Sequence, residues 1–476
     1  MADILSVGID IGTSTTQLVF SRITMENSAG FFSVPRISIV SKEVIYKSGV
    51  YLTPLKTAVL IDGEAVRSIV AKEFQAAGFT PADVDTGAVI ITGESARKEN
   101  AAAVLHELSS FAGDFVVSTA GPDLESIIAG KGSGAFQYSL DNSCLTANLD
   151  IGGGTTNIVL FDSGEVVGKG CLDIGGRLIR VDPDWQVLYV SPAAGAVAQS
   201  VGVPLSTGRR TSPEALSRIT DKMADLLAQA LYVLPQEDLL KAVRTAASSW
   251  LPQPPKPIRR VFFSGGVADC MDAHGSDLIP YGDIGVLLGR SLAQGALVRS
   301  IQRMKGSETI RATVVGAGTY TTSISGSTIS YAEELFPMKN LPSLKLTLSQ
   351  QQRCFAGDRA FLAGQIRWFL EQSGAKELIL ALPGKPDPGY GELKTLAGCL
   401  AAAMDQALPP GKPVLIALEQ DMAKALGFLL QGLLQGKRKV VCIDGVKLEQ
   451  GDFIDLGKPM LDGLVVPVIT KTLLFG

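Results

Sequence analysis

The chain has 476 residues, 46% of them hydrophobic and 19% charged, with 51 glycines and a formal net charge of −4. A length of this kind suggests about three domains, and the composition is that of a well-packed, turn-rich protein, which excludes a disordered or fibrous one. No run of lysine or arginine is long enough to track a phosphate backbone, so nucleic acid is not an expected partner.

In chain order, the first 150 residues alternate strand and helix patterns. Ile4 to Ile11, Thr16 to Ile23 and Ile37 to Tyr46 read as strands, the first two joined around Gly12-Thr13-Ser14-Thr15. A helix is expected near Gly63 to Ala77, a strand at Ala88 to Thr92, a helix over Ser95 to Phe111 and a strand at Phe115 to Thr119. Pro122 fits the first position of a further helix. The pattern then restarts with strands at Leu145 to Ile151, Thr155 to Phe161 and Val166 to Leu172, the first two flanking Gly152-Gly153-Gly154. A long helix follows, capped by Thr211 or Ser212 and begun by Pro213, then a strand at Val261 to Ser264. Beyond residue 300 the run Thr313 to Val315 looks strand-like. Leu378 to Leu382 reads as a strand, an Ala- and Leu-rich helix follows, and Val440 to Asp444, Asp452 to Gly457 and Leu464 to Thr472 read as a closing hairpin or small sheet.

The remaining composition narrows the chemistry. Cys144, Cys171, Cys270, Cys354, Cys399 and Cys442 occur singly, without a C-x-x-C pair, and are expected as ordinary thiols in a reducing cytoplasm. Met1-Ala2-Asp3-Ile4 lacks a basic region, so no signal peptide is expected, and stretches such as 463–476 are too short or too charged to suggest a membrane span. His106 and His274 are the two histidines, and His106 reads as an exposed helical residue. Catalysis is therefore expected to rest on carboxylates and backbone amides.

The restart is visible in the letters. Asp10-Ile11-Gly12-Thr13-Ser14-Thr15-Thr16 is echoed 140 residues later by Asp150-Ile151-Gly152-Gly153-Gly154-Thr155-Thr156. A glycine turn between strands lets successive N–H groups converge on a phosphate, with hydroxyls as further donors. Thus Gly12, Thr13, Ser14, Thr15, Gly152, Gly153, Gly154, Thr155 and Thr156 are expected to bind phosphates. Asp10 and Asp150 are expected to bind magnesium through its waters, and one of them to orient the attacking water. An apolar strand ending in Gly265-Gly266 gives adenosine a wall free of side chains. No G-x-x-x-x-G-K-[ST] motif is present, and Gly130-x-Gly132-x-x-Ala135 follows a helix rather than a strand, so neither a P-loop nor a dinucleotide fingerprint competes.

Together, the two aspartate turns and the Gly265-Gly266 strand resemble the actin-like ATPases, sugar kinases and heat-shock ATPases. The implied fold is α/β: two ribonuclease-H-like lobes over 1–144 and 145–300, with a further α/β region at 301–476 that is a candidate for partner binding. Two helices cross between the lobes in that superfamily, and the expected ones are Gly121 to Gly130 and Tyr281 to Gly289. Glu125 sits where relatives place a carboxylate near the metal; a solvated helix acid is the equal alternative.

Several segments are similar to one family, the reactivating factors of ethanolamine ammonia-lyase: Ile90-Ile91-Thr92-Gly93-Glu94-Ser95-Ala96-Arg97-Lys98-Glu99-Asn100-Ala101, Leu172-Asp173-Ile174-Gly175-Gly176-Arg177, Gly282-Asp283-Ile284-Gly285, Ile310 to Gly318 and Gly451 to Pro459. The resemblance implies an ATPase using ATP and Mg2+ that acts as a chaperone on ethanolamine ammonia-lyase and releases damaged cobalamin so that adenosylcobalamin can rebind. Cobalamin would be met only through that partner, and the protein would be cytoplasmic. A homodimer and association with a bacterial microcompartment stay open. A sugar-kinase-type small-molecule kinase and an ATP-dependent hydantoinase-like hydrolase are the alternatives.

Overall fold

The computed structural model describes residues 2–12, 15–27, 37–57, 60–92, 95, 99–101, 103–104, 108, 116–119, 122–246, 248, 250–273, 275–320, 322–325, 329–448, 452–459, 463 and 465–472. Thr13, Ser14, Gly93, Glu94, His106 and His274 lie outside them.

The first sheet is built on β1 (Ala2–Ile11), β2 (Thr15–Asn27), β3 (Ile37–Lys47), β4 (Thr86–Ile91) and β5 (Val116–Thr119). Its order is β3-β2-β1-β4-β5; β1, β2 and β3 are antiparallel neighbours, and β4 and β5 run parallel to β1. Val7, Ile9, Ile11 and Phe20 pack against Val66, Val70 and Phe74 of α1 (Gly63–Ala77). Asp62 caps that helix by accepting from the Ala65 N–H, and Gly78 ends it in the left-handed conformation.

The second sheet repeats this plan with β6 (Leu145–Ile151), β7 (Thr156–Asp162), β8 (Glu165–Leu172), β9 (Arg260–Ser264) and β10 (Gln302–Arg303), in the order β8-β7-β6-β9-β10. The directions repeat too: β6, β7 and β8 antiparallel, β9 and β10 parallel to β6. A strand order and direction pattern used twice in one chain is the duplicated ribonuclease-H-like arrangement of actin-like ATPases. All seven residues of β6 are buried, as expected of a central strand covered on both faces.

Between the sheets lies α2 (Pro122–Gly132). In the second lobe α3 (Pro213–Ala230) is capped by Ser212, and its Leu216, Ile219, Met223, Leu226 and Leu227 are buried. After β9 come α4 (Gly266–Cys270) and α5 (Gly285–Gln294), which packs on α3 and α4. Gly285 to Gly289 of the expected 281–289 stretch are helical, but they pack against helices of the second lobe, so the stretch does not supply the second crossing helix. The helix that crosses α2 is α6 (Ala312–Tyr320), which also lies against β1, β2 and β4. Thr313 to Val315 are therefore helical, not extended. Their β-branched side chains favour a strand locally, but the small residues beside them favour close helix packing, and tertiary packing overrides a weak local preference. A Cβ on Gly132 would stand 1.8 Å from Ala312 O, and one on Gly316 2.0 Å from Ile128 O, so only glycine lets the helices meet backbone to backbone.

The third sheet joins β11 (Thr322–Ile324), β12 (Met338–Lys345), β13 (Ile379–Leu382), β14 (Val414–Leu418), β15 (Val440–Ile443), β16 (Asp452–Leu456) and β17 (Pro467–Thr472) in the order β11-β17-β16-β12-β13-β14-β15. From β12 to β15 it is parallel, with α7 (Leu348–Phe355), α8 (Arg359–Ser373), α9 (Tyr390–Ala407) and α10 (Ala423–Leu434) as crossovers. Of the closing strands, β16 and β17 do pair as an antiparallel hairpin, but they extend one half of the large sheet while β15 forms its opposite edge, so there is no separate small sheet. Among the described residues no helix is long and apolar enough to cross a membrane.

Candidate functional site

The C-terminal ends of β1 and β6 carry Asp10 and Asp150, both buried. Each is followed by the same turn: Gly12 N–H donates to Thr15 O at 2.8 Å, and Gly152 N–H to Thr155 O at 3.0 Å. Each aspartate also takes a hydroxyl from the end of the neighbouring parallel strand. Thr92 Oγ1 donates to Asp10 Oδ1 at 3.1 Å, and Ser264 Oγ to Asp150 Oδ1 at 2.6 Å. Asn148 Nδ2 donates to Ser264 Oγ at 3.0 Å, which fixes that hydroxyl as the donor to Asp150.

Burial raises Asp10 to about 7, with the Thr92 bond opposing and the charge of Asp150 adding to the rise. Burial likewise raises Asp150 to about 6, against the hydroxyls of Ser264 and Thr313. Mutual repulsion brings the two carboxylates into one electrostatic site although they belong to different lobes. Among the described residues neither is paired with lysine or arginine. Two buried carboxylates facing each other without a basic partner suit a divalent cation.

The turns are braced differently. Gly12 O accepts from Thr53 Oγ1 at 2.7 Å and Ser95 Oγ at 3.0 Å. Gly152 O and Gly153 O accept from the N–H groups of Gly176 and Arg177 at 3.0 and 2.7 Å. Thr156 Oγ1 ties the same loop through Ile174 O at 2.7 Å. Gly154 has open space where a Cβ would be, and Gly152 meets only Thr155 O at 3.7 Å, so neither position is crowded by neighbouring atoms.

Glu125 is buried in the first turn of α2. Its electrostatic neighbourhood is Cys171, whose thiol is pushed up to about 12 by burial and then by Glu125, Asp173 and Asp123. Asp173 is anchored by Thr245 Oγ1 at 2.6 Å and begins the loop that braces the second turn.

Gly265 has φ +83°, and a Cβ there would stand 2.4 Å from Ile151 O. Gly266 is different: its Cβ would meet only Ile310 Cδ1, at 3.8 Å. The Gly265 N–H donates to Thr309 O at 3.0 Å, and Gln17 Nε2 to Ile310 O at 3.2 Å. The segment leading into α6 thus joins β2 to the Gly265-Gly266 turn. Sequence reasoning gave Thr53, Asn148, Ser264 and the Thr309–Ile310 carbonyls no role at the site, because each acts through a contact with a residue distant in the chain.

The whole chain matches known proteins. Residues 2–476 match the model of the family described as Ethanolamine utilisation protein EutA. A protein of Salmonella typhimurium described as ethanolamine ammonia-lyase reactivase EutA is 37% identical over 478 residues, covering 99% of this chain and 98% of its own. One of Escherichia coli K12 with the same description is 35% identical over 475 residues, covering 99% and 98%. Among solved structures, the Ppx/GppA phosphatase of Aquifex aeolicus is 13% identical over 67% of this chain and 99% of its own, with a TM-score of 0.39.

Proposed function

Because this chain belongs to the family of ethanolamine utilisation protein EutA, we propose that it is an ATP-dependent reactivase of ethanolamine ammonia-lyase. The observation that carries this reading is identity of 37% along 99% of the chain to a protein bearing that description. No part of the likeness is confined to the nucleotide motifs, as it would be for a kinase or hydrolase sharing only the cleft.

The site fits a magnesium–nucleotide complex: buried carboxylates without a basic partner among the described residues, and a second turn uncrowded at Gly152 and Gly154. Asp10 and Asp150 would hold the ion through water, and the ion would supply charge neutralisation at the phosphates. The N–H groups of the Gly12 and Gly152 to Gly154 turns, with Thr13, Ser14, Thr15, Thr155 and Thr156, would orient the phosphates. Gly265 and Gly266 would face the adenosine. Glu125, buried in the first turn of α2, would be a further carboxylate near the metal. The lobes meet along α2 and α6, so a change of lobe angle is a two-state element that nucleotide and lyase can both bias. A useful coupling needs about 1–3 kcal/mol. We divide the chain at 144 and 300, with residues 312–320 returning to the first lobe, and assign the lyase-facing surface to the third sheet and its helices.

The test mixes ethanolamine ammonia-lyase inactivated by cyanocobalamin with this protein and follows ammonia release. Recovery is expected only with ATP, magnesium and adenosylcobalamin together. No recovery with a matched lyase overturns the proposal, and phosphate transfer from ATP to a soluble alcohol would replace it with a kinase.

A further inference from the structure

Two buried amides lie beside the aspartates. β2 pairs with β1 so that Gln17 is directly across from Asp10, and β7 pairs with β6 so that Asn157 is directly across from Asp150. Cross-strand partners share one face of a sheet. The two amides are also equivalent in the duplication, each seven residues after its aspartate. Both are 2% exposed. Gln17 Nε2 donates to Ile310 O at 3.2 Å and reaches Thr15 Oγ1 at 3.4 Å, but Gln17 Oε1 and Asn157 Oδ1 meet no donor among the described residues.

A buried acceptor without a donor is destabilising, and native structures keep few of them. Here the same defect occurs twice, at matched positions on the face of two buried carboxylates. Ser21 Oγ, Asn148 Oδ1 and Arg311 Nε also lack a hydrogen-bond partner among the described residues. It is the matched placement across from the aspartates that singles this pair out, and a donor carried by the ligand would satisfy both. Phosphate and carboxylate oxygens are acceptors and cannot supply it, whereas water held by a magnesium ion is a strong donor. Magnesium keeps several of its waters and takes only one or two carboxylates from a protein.

We propose that Gln17 and Asn157 are a matched pair of positioning residues, one in each lobe, whose carboxamide oxygens accept hydrogen bonds from waters carried by the magnesium of the bound nucleotide. This rests on the magnesium–nucleotide reading above. Each lobe then contributes one carboxylate and one carboxamide, so the ion's water shell is fully braced only when the lobes are together.

The test uses the full chain with Mn2+ as the probe, its free concentration read by electron paramagnetic resonance in the presence of ADP. Affinity for ADP without metal is measured separately by calorimetry. Gln17→Met and Asn157→Leu keep the shape and remove the acceptor; Gln17→Glu and Asn157→Asp keep an acceptor. The first two are expected to weaken Mn2+ binding to the protein–ADP complex by about 10–100-fold, the range for groups that orient metal ligands. Metal-free ADP affinity should stay within about threefold, and the acidic variants should hold Mn2+ at least as tightly as the parent. Mn2+ affinity within about twofold of the parent for both Met and Leu variants overturns the proposal, as does an equal loss in the acidic variants. Should the Met and Leu variants fail to melt cooperatively, weaker Mn2+ binding by the acidic pair is enough to overturn it. Failure of the parent itself to bind Mn2+ with ADP is a different result, and removes the magnesium–nucleotide reading instead.

Discussion

In the first lobe the carbonyl of Gly12 is held by two side-chain hydroxyls, Thr53 and Ser95, while in the second the carbonyls of Gly152 and Gly153 are held by the backbone of Gly176 and Arg177. The strand order and the turn hydrogen bond are the same in both lobes. Duplication thus kept the turn and changed its support. A hydroxyl brace reaches from a distant loop and can be altered one residue at a time. A backbone brace demands that the second loop come within contact of the first turn, and glycine is what allows that approach. The loop that braces the second turn runs on through Asp173 to Thr245 and, by the Ile284 N–H to Gly176 O bond of 3.0 Å, to the start of α5.

The largest effect should ignore this difference. Asp10→Ala and Asp150→Ala each remove one carboxylate from the shared electrostatic site, and each should cost at least about a hundredfold in ATP hydrolysis, since phosphoryl transfer depends on metal positioning and charge stabilisation. Steady-state phosphate release with circular dichroism as the folding control measures it. A lobe whose aspartate can be removed without loss would break the equivalence of the pair.

A smaller effect should separate the lobes. A Cβ on Gly175 would stand 2.5 Å from Gly153 O and 2.8 Å from Gly154 N, so Gly175→Ala must displace the second turn. Ser95→Ala leaves Thr53 holding Gly12 O. Calorimetry with Mg–ADP should show Gly175→Ala weaker by about tenfold or more and Ser95→Ala by less than about tenfold, a single neutral hydrogen bond being worth about 0.5–1.5 kcal/mol. The reverse order would mean that the hydroxyl brace is the stiffer one. Gly265 and Gly266 sharpen the same point: Gly265→Val should disturb both folding and binding, whereas Gly266→Val, with room for its side chain, should weaken nucleotide binding while the melting temperature holds.

The sequence made the aspartate turns and most of the strands of both lobes legible, because β6 alternates apolar and polar residues and the Asp-Ile-Gly and Thr-Thr ends of the two turns repeat. Gln17 and Asn157 were within reach, since the repeat extends one position past Thr16 and Thr156 as a pair of amides. Thr53 and Ser95 were not, because a side chain that returns to a turn from 41 or 83 residues away leaves no local pattern. The second crossing helix was hidden for a different reason: Thr313, Val314 and Val315 carry strand propensity, and only contact with α2 makes them helical. In the third sheet the strands were readable but their order was not, since β16 and β17 join a parallel sheet through β12, far from them in sequence.

The finest distinction between the lobes lies in the protons of the two aspartates. In the unfolded chain each ionises near the ordinary aspartate value of 3.8; folded and ligand-free, Asp10 does so at about 7 and Asp150 at about 6, burial being the main cause of both shifts. Between those limits the folded state holds protons that the unfolded state has released, so unfolding releases protons and stability falls as pH rises. The contribution is complete below about 4 and is lost as pH passes through about 6 for Asp150 and about 7 for Asp10. The ligand-free protein should therefore melt lower at pH 8 than at pH 5.5. A shift of a few degrees is expected, since ~1 kcal/mol moves the melting temperature of a 150–250-residue domain by about 2–4 °C. Asp283, also raised by burial, contributes to the slope in every variant, so the comparison is between each variant and the parent. Asp10→Asn should flatten the slope more than Asp150→Asn, because its proton is retained to higher pH and it also feels the charge of Asp150. Mg–ADP should flatten it in the parent, since a cation between the carboxylates restores their ionised form. Scanning fluorimetry across pH 5 to 8 decides the matter, and an unchanged slope in Asp10→Asn would place the buried proton elsewhere in the cleft.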